Sequence, residues 1–198
     1  MSRLLRLLAL VLVLSSSVLI ADERPGKSAI ASQHYLATEA GHEVLDKGGN
    51  AFDAAIAVGS VLAVVEPTSS GLGGGGFWML HRADDGFEVM IDARETAPGA
   101  AHRDMYLDEN GEVNRDLAVN GPTAGGIPGE VAGMYHLAEQ YGKLPLSVSL
   151  QPAIRIARDG FPVDEKFRAL MGWRVDTLRR WPAAAEAYLV DDDIPPLG

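Results

Sequence analysis

The residues of this chain best suited to bind a ligand are a run of glycines and an arginine that follows it. The glycines fall between Gly71 and Gly76, and the arginine is Arg94, within the segment Asp92 to Pro98. Glycine lets the backbone approach a ligand closely because it has no Cβ and tolerates positive φ. The guanidinium of arginine is a permanent, forked cation that fits a carboxylate or a phosphate. Together these residues predict a binding site for an anionic group.

The glycine run also matches the pattern G-x-G-x-x-G of dinucleotide-binding proteins, but its context does not fit. That fingerprint needs a strand before the glycines and a helix after them. Here an apolar helical run over 54–65 precedes them and a strand-like run over 77–80 follows. From the residues alone, two structural interpretations without a ligand remain open. The glycines could serve only a close backbone crossing, and Arg94 could belong to a surface ion-pair cluster with Asp92 and Glu95.

Other patterns that would carry chemistry are missing from the sequence. The five histidines have no zinc-ligand spacing, and no Gly-x-Ser-x-Gly motif marks a serine nucleophile. Asp108, Asn110 and Glu112 imitate part of a calcium loop, but the full pattern fails and an Asn-Gly turn accounts for them better. We therefore predict no metal site and no cofactor, and the residues themselves reveal no nucleophile.

Composition limits the class of protein. The chain has 198 residues, of which 47% are hydrophobic, enough for one globular domain. Its formal net charge of −10 argues against a nucleic-acid partner. Residues 1–21 join two arginines to a short apolar run and end in Ala21, which predicts a signal peptide; an uncleaved anchor is the alternative. With no cysteine, residues 22–198 fit a periplasmic or secreted protein held together by its core.

Hydrophobic spacing and turn residues predict a mixed α+β fold rather than a doubly wound sheet. Two strands, over 77–81 and 87–91, should form a hairpin that places the glycine run and Arg94 at its opposite ends. A helix over 54–65, capped by Asn50, should lie buried in the middle of the domain. Further helices are predicted over 36–47, from Pro128 to Gly142, over 146–157 with an interruption near Pro152, and over 164–180.

Five sequence blocks occur in an order typical of one enzyme family. They are Asp46 to Ala57, Val65 to Phe77, Asp92 to Pro98, Ile127 to Gly129 and Pro152 to Val163. In these blocks the chain resembles the N-terminal part of the large subunit of the γ-glutamyltransferases, also called glutathione hydrolases. The resemblance covers roughly residues 34 to 165.

The resemblance implies an N-terminal nucleophile hydrolase fold, an αββα sandwich built by two subunits of one self-cleaving precursor. It implies attack on a γ-glutamyl amide such as that of glutathione, with transfer of the glutamyl group to water, an amino acid or a peptide. The family's nucleophile is a threonine at the start of the small subunit, with its own α-amine as base. No residue of this chain matches that threonine.

On this basis the chain is expected to be an incomplete domain, inactive without its small subunit. A non-catalytic periplasmic binding module and a cephalosporin acylase-like relative are the alternative interpretations.

The resemblance also gives roles to individual residues. Arg94 matches the arginine that holds the α-carboxylate of the glutamyl group, and Asp92 and Glu95 are expected to orient its guanidinium. The glycine run is expected to provide close packing beside the substrate pocket.

Overall fold

The computed structural model describes residues 28–198. The predicted signal peptide of residues 1–21 lies outside these described residues. Ala31–Gly198 forms one compact unit, and none of the described helices is both long and apolar enough to cross a membrane. The helices are α1 Tyr35–Asp46, α2 Ala51–Val65, α3 Arg115–Asn120, α4 Glu130–Tyr141, α5 Leu146–Asp159, α6 Glu165–Gly172, α7 Val175–Arg179 and α8 Pro182–Tyr188, with a 3-10 turn at Pro122–Ala124.

The predicted hairpin is present as β1 Gly76–Arg82 and β2 Phe87–Ala93, which pair antiparallel. Gly86 closes the turn with a φ of 70°, a conformation that favours glycine. Asp85 accepts two hydrogen bonds from the guanidinium of Arg82, which lower the pKa of Asp85 to about 2. Gly76 pairs with Ala93, so the glycine run and Arg94 lie at the same open end of the hairpin. Their predicted placement at opposite ends was wrong, because an antiparallel pair brings its two outer termini together.

Helix α2 lies at the centre of the fold, as its apolar sequence predicts. It packs against α1, α4 and α5, and Ile56, Ala57 and Val61 are fully buried. The side chain of Asn50 caps its first turn by accepting hydrogen bonds from the amides of Phe52 and Asp53. One face of the hairpin covers this core through Leu80, which packs in a cluster with Ile56, Met134 and Leu137. The core therefore supports the hairpin from one side.

A buried carboxylate joins the start of α2 to the turn between α4 and α5. Asp53 is fully buried and accepts hydrogen bonds from the amides of Asn50 and Lys143, both at 2.9 Å, and of Leu144 at 3.3 Å. The side-chain amide of Asn50 donates to the carbonyl oxygen of Tyr141 at 2.7 Å. The bond from Asn50 satisfies a carbonyl at the C-terminus of α4, the bonds to Asp53 satisfy amides of the following turn, and together they fix the end of α4 against α2.

Two helix predictions need correction. Helix α5 runs through Pro152 without interruption. The proline costs the helix one backbone hydrogen bond, but its ring is fully buried in the core, and this packing offsets the loss. The helix predicted over 164–180 is two helices, α6 and α7. The amides of Trp173 and Arg174 donate to the carbonyls of Leu170 and Met171, three residues back, which ends α6 just after Gly172.

Replacing Lys166 with methionine should destabilise the chain by about 1 to 3 kcal/mol, because it leaves the buried carboxylate of Glu66 without its hydrogen-bond donor. Glu66 ends α2, its side chain is 7% exposed, and Nζ of Lys166 lies 2.6 Å from its Oε1. Urea denaturation measures the free energy of unfolding. Lys47→Met is the matched control, since Lys47 pairs with the more exposed Glu43 at 2.7 Å and should contribute little. Equal losses in the two variants would contradict this role for Lys166.

Candidate functional site at the open end of the hairpin

Arg94 follows the last residue of β2 and presents its guanidinium at the surface. Its side chain is 58% exposed, and Nε lies 3.2 Å from Oε2 of Glu95. The guanidinium carbon lies 5.9 Å from the centre of the Phe77 ring, near the limit for a cation–π contact. Within residues 28–198 the guanidinium forms this ion pair but no well-aligned hydrogen bond. The guanidinium of Arg94 therefore keeps N–H donors that are available to bind an anionic group.

Asp92 and Glu95 act on Arg94 in different ways. Oδ1 of Asp92 accepts a hydrogen bond from the backbone amide of Arg94 at 3.0 Å, so Asp92 orients the backbone. Glu95 lies beside the guanidinium itself. Oε2 of Glu95 is buried and has no hydrogen-bond donor among the described residues, although Arg94 lies within ion-pair distance. That the two acidic residues orient Arg94 for a substrate stays a prediction.

Glycines pack tightly against the backbone that carries Arg94. A Cβ on Gly75 would lie 2.8 Å from Cα of Arg94 and would overlap the carbonyl oxygen of Ala93. A Cβ on Gly129 would overlap the same carbonyl and lie 2.5 Å from the carbonyl oxygen of Arg94. Real Cβ atoms do not approach other atoms so closely. The segment is therefore held between the glycine run on one side and the start of α4 on the other.

Backbone hydrogen bonds hold the same three segments together. The amides of Gly129 and Glu130 both donate to the carbonyl oxygen of Gly74, at 3.1 Å. Thr96 and Ile127 exchange a pair of backbone hydrogen bonds, at 3.1 and 2.8 Å. The blocks around Gly75, Arg94 and Gly129 are distant in sequence, yet they form one junction. Rigid backbone on both sides fixes the point from which Arg94 extends.

An open cleft of about 750 Å³ adjoins this junction. Its walls are the segment from Pro67 to Gly76, together with Ala63, Glu95, Glu130 and Tyr188. A Cβ on Gly73 would meet no atom within 4 Å, so part of the glycine run faces open space while Gly75 packs closely. Within residues 28–198 no group of three acidic or histidine side chains is placed to hold a metal ion. Backbone of the glycine run is therefore exposed in an open cleft.

Glu130 is a residue of this cleft that the sequence did not single out. It is half-buried in the first turn of α4, and burial raises the pKa of its carboxyl, with a further increase from the negative charge of Glu95. The only sequence signal was its position directly after Pro128 and Gly129, where an acidic residue suits a helix N-terminus. Its nearness to Glu95 depends on the junction and is invisible in the sequence.

Comparison with known proteins identifies the family of this chain. The family model described as gamma-glutamyltranspeptidase matches residues 37–198. The glutathione hydrolase proenzyme of Escherichia coli is 45% identical over 142 residues, which are 72% of this chain and 24% of that protein. The chain therefore spans about a quarter of the length of that relative.

Solved structures agree with the sequence comparison. Helicobacter pylori gamma-glutamyltranspeptidase superposes with a TM-score of 0.83 at 36% identity, over 87% of this chain and 49% of that chain. Cephalosporin acylase from Bacillus halodurans superposes with a TM-score of 0.63 at 31% identity, over 73% of this chain and 26% of that chain. The predicted α+β, N-terminal nucleophile hydrolase fold class is confirmed by these likenesses. With the match extending over residues 37–198, the chain belongs to the γ-glutamyltranspeptidase family.

Proposed function

We propose that this chain supplies the carboxylate-binding part of a γ-glutamyltransferase or glutathione hydrolase. The observation that carries the proposal is the placement of Arg94. Its backbone is packed between glycines, and its exposed guanidinium can donate further hydrogen bonds. A planar fork of N–H donors suits the α-carboxylate of a γ-glutamyl group. The whole enzyme would cleave the γ-glutamyl amide of glutathione or a related compound and pass the glutamyl group to water, an amino acid or a peptide.

The residues around Arg94 contribute orientation rather than bond breaking. Glu95 pairs with Nε, so the two outer nitrogens of Arg94 remain available to a ligand, while Asp92 accepts a hydrogen bond from the backbone amide of Arg94. Anchoring the α-carboxylate in this way contributes mainly to substrate binding, because that carboxylate takes no part in the bond change. The nucleophile itself belongs, in this proposal, to a small subunit cut from the same precursor. This agrees with the proenzyme named among the relatives.

We assign the outer face of the hairpin to contact with that small subunit. Phe77, Met79 and Met90 are exposed there, and Met79 is 86% exposed. Large apolar side chains grouped on one face of a sheet are typical of a surface that another element covers. We place the mature protein in the periplasm or outside the cell, on the strength of the signal-peptide pattern in residues 1–21.

The test of this function is hydrolysis of L-γ-glutamyl p-nitroanilide by the longer precursor that would carry this chain. Release of p-nitroaniline after self-cleavage supports the proposal. A precursor that matures but leaves this substrate intact would contradict it. Calorimetry of residues 22–198 with glutamate or glutathione tests the binding-module alternative, since such a module must fold and bind by itself.

The cephalosporin acylase-like alternative rests on the likeness to the Bacillus halodurans enzyme. Kinetics of the same precursor on a cephalosporin and on the γ-glutamyl anilide separate the two functions. We expect the higher kcat/KM with the anilide, because its α-carboxylate can pair with Arg94.

A further inference from the structure

Two carboxylates face the same short stretch of glycine backbone beside Arg94. A Cβ on Gly76 would lie 3.2 Å from Oε2 of Glu130, and one on Gly74 would lie 3.4 Å from Oε1 of Glu95. Both carboxylates line the cleft. They come from different elements, Glu95 from the segment after β2 and Glu130 from the first turn of α4, which the amide of Glu130 fixes to Gly74.

The charges around Glu130 are few and can be named. Glu95 and its partner Arg94 come from the segment after β2, and the phenol of Tyr188 lines the same cleft. The glycine run contributes no charge. Among the described residues lining the cleft there is no lysine or arginine. Arg94 and Glu95 carry opposite charges and pair with each other, so an ionised Glu130 adds one negative charge beside the Glu95 end of that pair.

We propose that Glu130 is a positioning residue that sets how strongly Arg94 attracts a substrate carboxylate, acting through its charge beside Glu95. This inference rests on the proposed function of Arg94. When Glu130 is ionised, a second negative charge adjoins the ion pair and repels an incoming carboxylate. When Glu130 is protonated, that repulsion is absent and the guanidinium binds the carboxylate more tightly.

The direction of the pH dependence follows from this arrangement. Burial and the charge of Glu95 both raise the pKa of Glu130 above its ordinary value. The neutral form therefore persists to a higher pH than it does for an exposed glutamate. KM for a carboxylate-bearing substrate should be low in acid and should rise as pH passes through the raised pKa of Glu130.

The experiment compares wild type with Glu130→Gln and with the matched control Glu139→Gln in the proposed precursor after maturation. Glu139 lies on the same helix but is exposed and outside the cleft. KM and kcat for L-γ-glutamyl p-nitroanilide are measured from acidic to neutral pH. Above the pKa of Glu130, Glu130→Gln should lower KM by about threefold, with less effect at high salt, because one screened unit charge is removed. Its KM should lose the acidic transition, whereas the control keeps it.

Two outcomes overturn this inference. The first is that KM of Glu130→Gln depends on pH as KM of wild type does. The second is that KM of Glu130→Gln is higher than that of wild type, as expected if Glu130 contacts an ammonium group of the substrate directly. Thermal melting of Glu130→Gln shows whether the fold is kept. The proposed function fails separately: if Arg94→Ala leaves KM unchanged, the role of Arg94 is wrong. If Arg94→Ala raises KM while Glu130→Gln matches wild type, only the role of Glu130 is wrong.

Discussion

Replacing Arg94 with alanine should raise KM for L-γ-glutamyl p-nitroanilide by about 10- to 100-fold, since hydrogen bonds to a charged group contribute roughly 1.5 to 3 kcal/mol. The guanidinium is exposed and extends from packed backbone, so its removal should leave the fold intact. kcat should change less than KM, because Arg94 contacts a part of the substrate that does not react. Steady-state kinetics of the matured precursor measure both constants.

Arg103→Ala is the matched control for this variant. Arg103 is 96% exposed and its Nε lies 3.7 Å from Oδ1 of Asp104, so its loss removes the same charge from a residue that takes no part in the junction of Gly75, Arg94 and Gly129. KM should stay within about twofold of wild type, as expected for a screened surface charge. A similar rise in KM for both variants would point to a general effect of net charge and would contradict a specific role for Arg94.

Replacing Gly129 with alanine should destabilise the protein by about 1 to 3 kcal/mol, the usual cost of overpacking, and should raise KM as well. The added Cβ would overlap the carbonyl oxygen of Ala93 and press on that of Arg94. Backbone strain is not the cause, because Gly129 has a φ of −109° and a ψ of −19°, which alanine adopts readily. Urea denaturation and steady-state kinetics give the two effects separately.

Gly125→Ala controls for the loss of a glycine in the same loop. Gly125 has a φ of −78°, and a Cβ there would meet no atom within 4 Å. Its stability and KM should match wild type or improve slightly through lower entropy of the unfolded chain. If Gly129→Ala is as stable and as active as Gly125→Ala, the junction does not fix the position of Arg94.

Local signals in the sequence were sufficient to predict the elements that build this site. The turn from Ala83 to Gly86 and the short apolar runs on either side predicted the hairpin, and Asn50 predicted the start of α2. Arg94 could be singled out because it is a forked cation that follows a glycine run along the chain, and both residue types suit an anionic ligand. Its proposed role came from the family resemblance, since the residues alone left an ion-pair cluster equally open.

The packing around Arg94 could not be predicted, because it depends on contacts between distant segments. Gly129 looked like a helix start, yet its lack of a side chain matters because Ala93 and Arg94 lie against it. Glu130 looked like an ordinary acidic residue in a first helical turn, and its approach to Glu95 requires the hydrogen bonds to Gly74. The interruption predicted at Pro152 failed for a similar reason, since burial in the core outweighs one lost hydrogen bond.

The central claim is that Arg94 binds the α-carboxylate of the substrate, and a cycle of two substrates and two proteins tests it most directly. kcat/KM is measured for L-γ-glutamyl p-nitroanilide and for γ-aminobutyryl p-nitroanilide, which lacks that carboxylate, with wild type and with Arg94→Ala. The ratio of kcat/KM for the glutamyl substrate to kcat/KM for the aminobutyryl substrate should be about 10- to 100-fold larger in wild type than in Arg94→Ala, as expected for a hydrogen-bonded ionic contact. If Arg94→Ala keeps the wild-type preference, the carboxylate is bound elsewhere and the account is wrong.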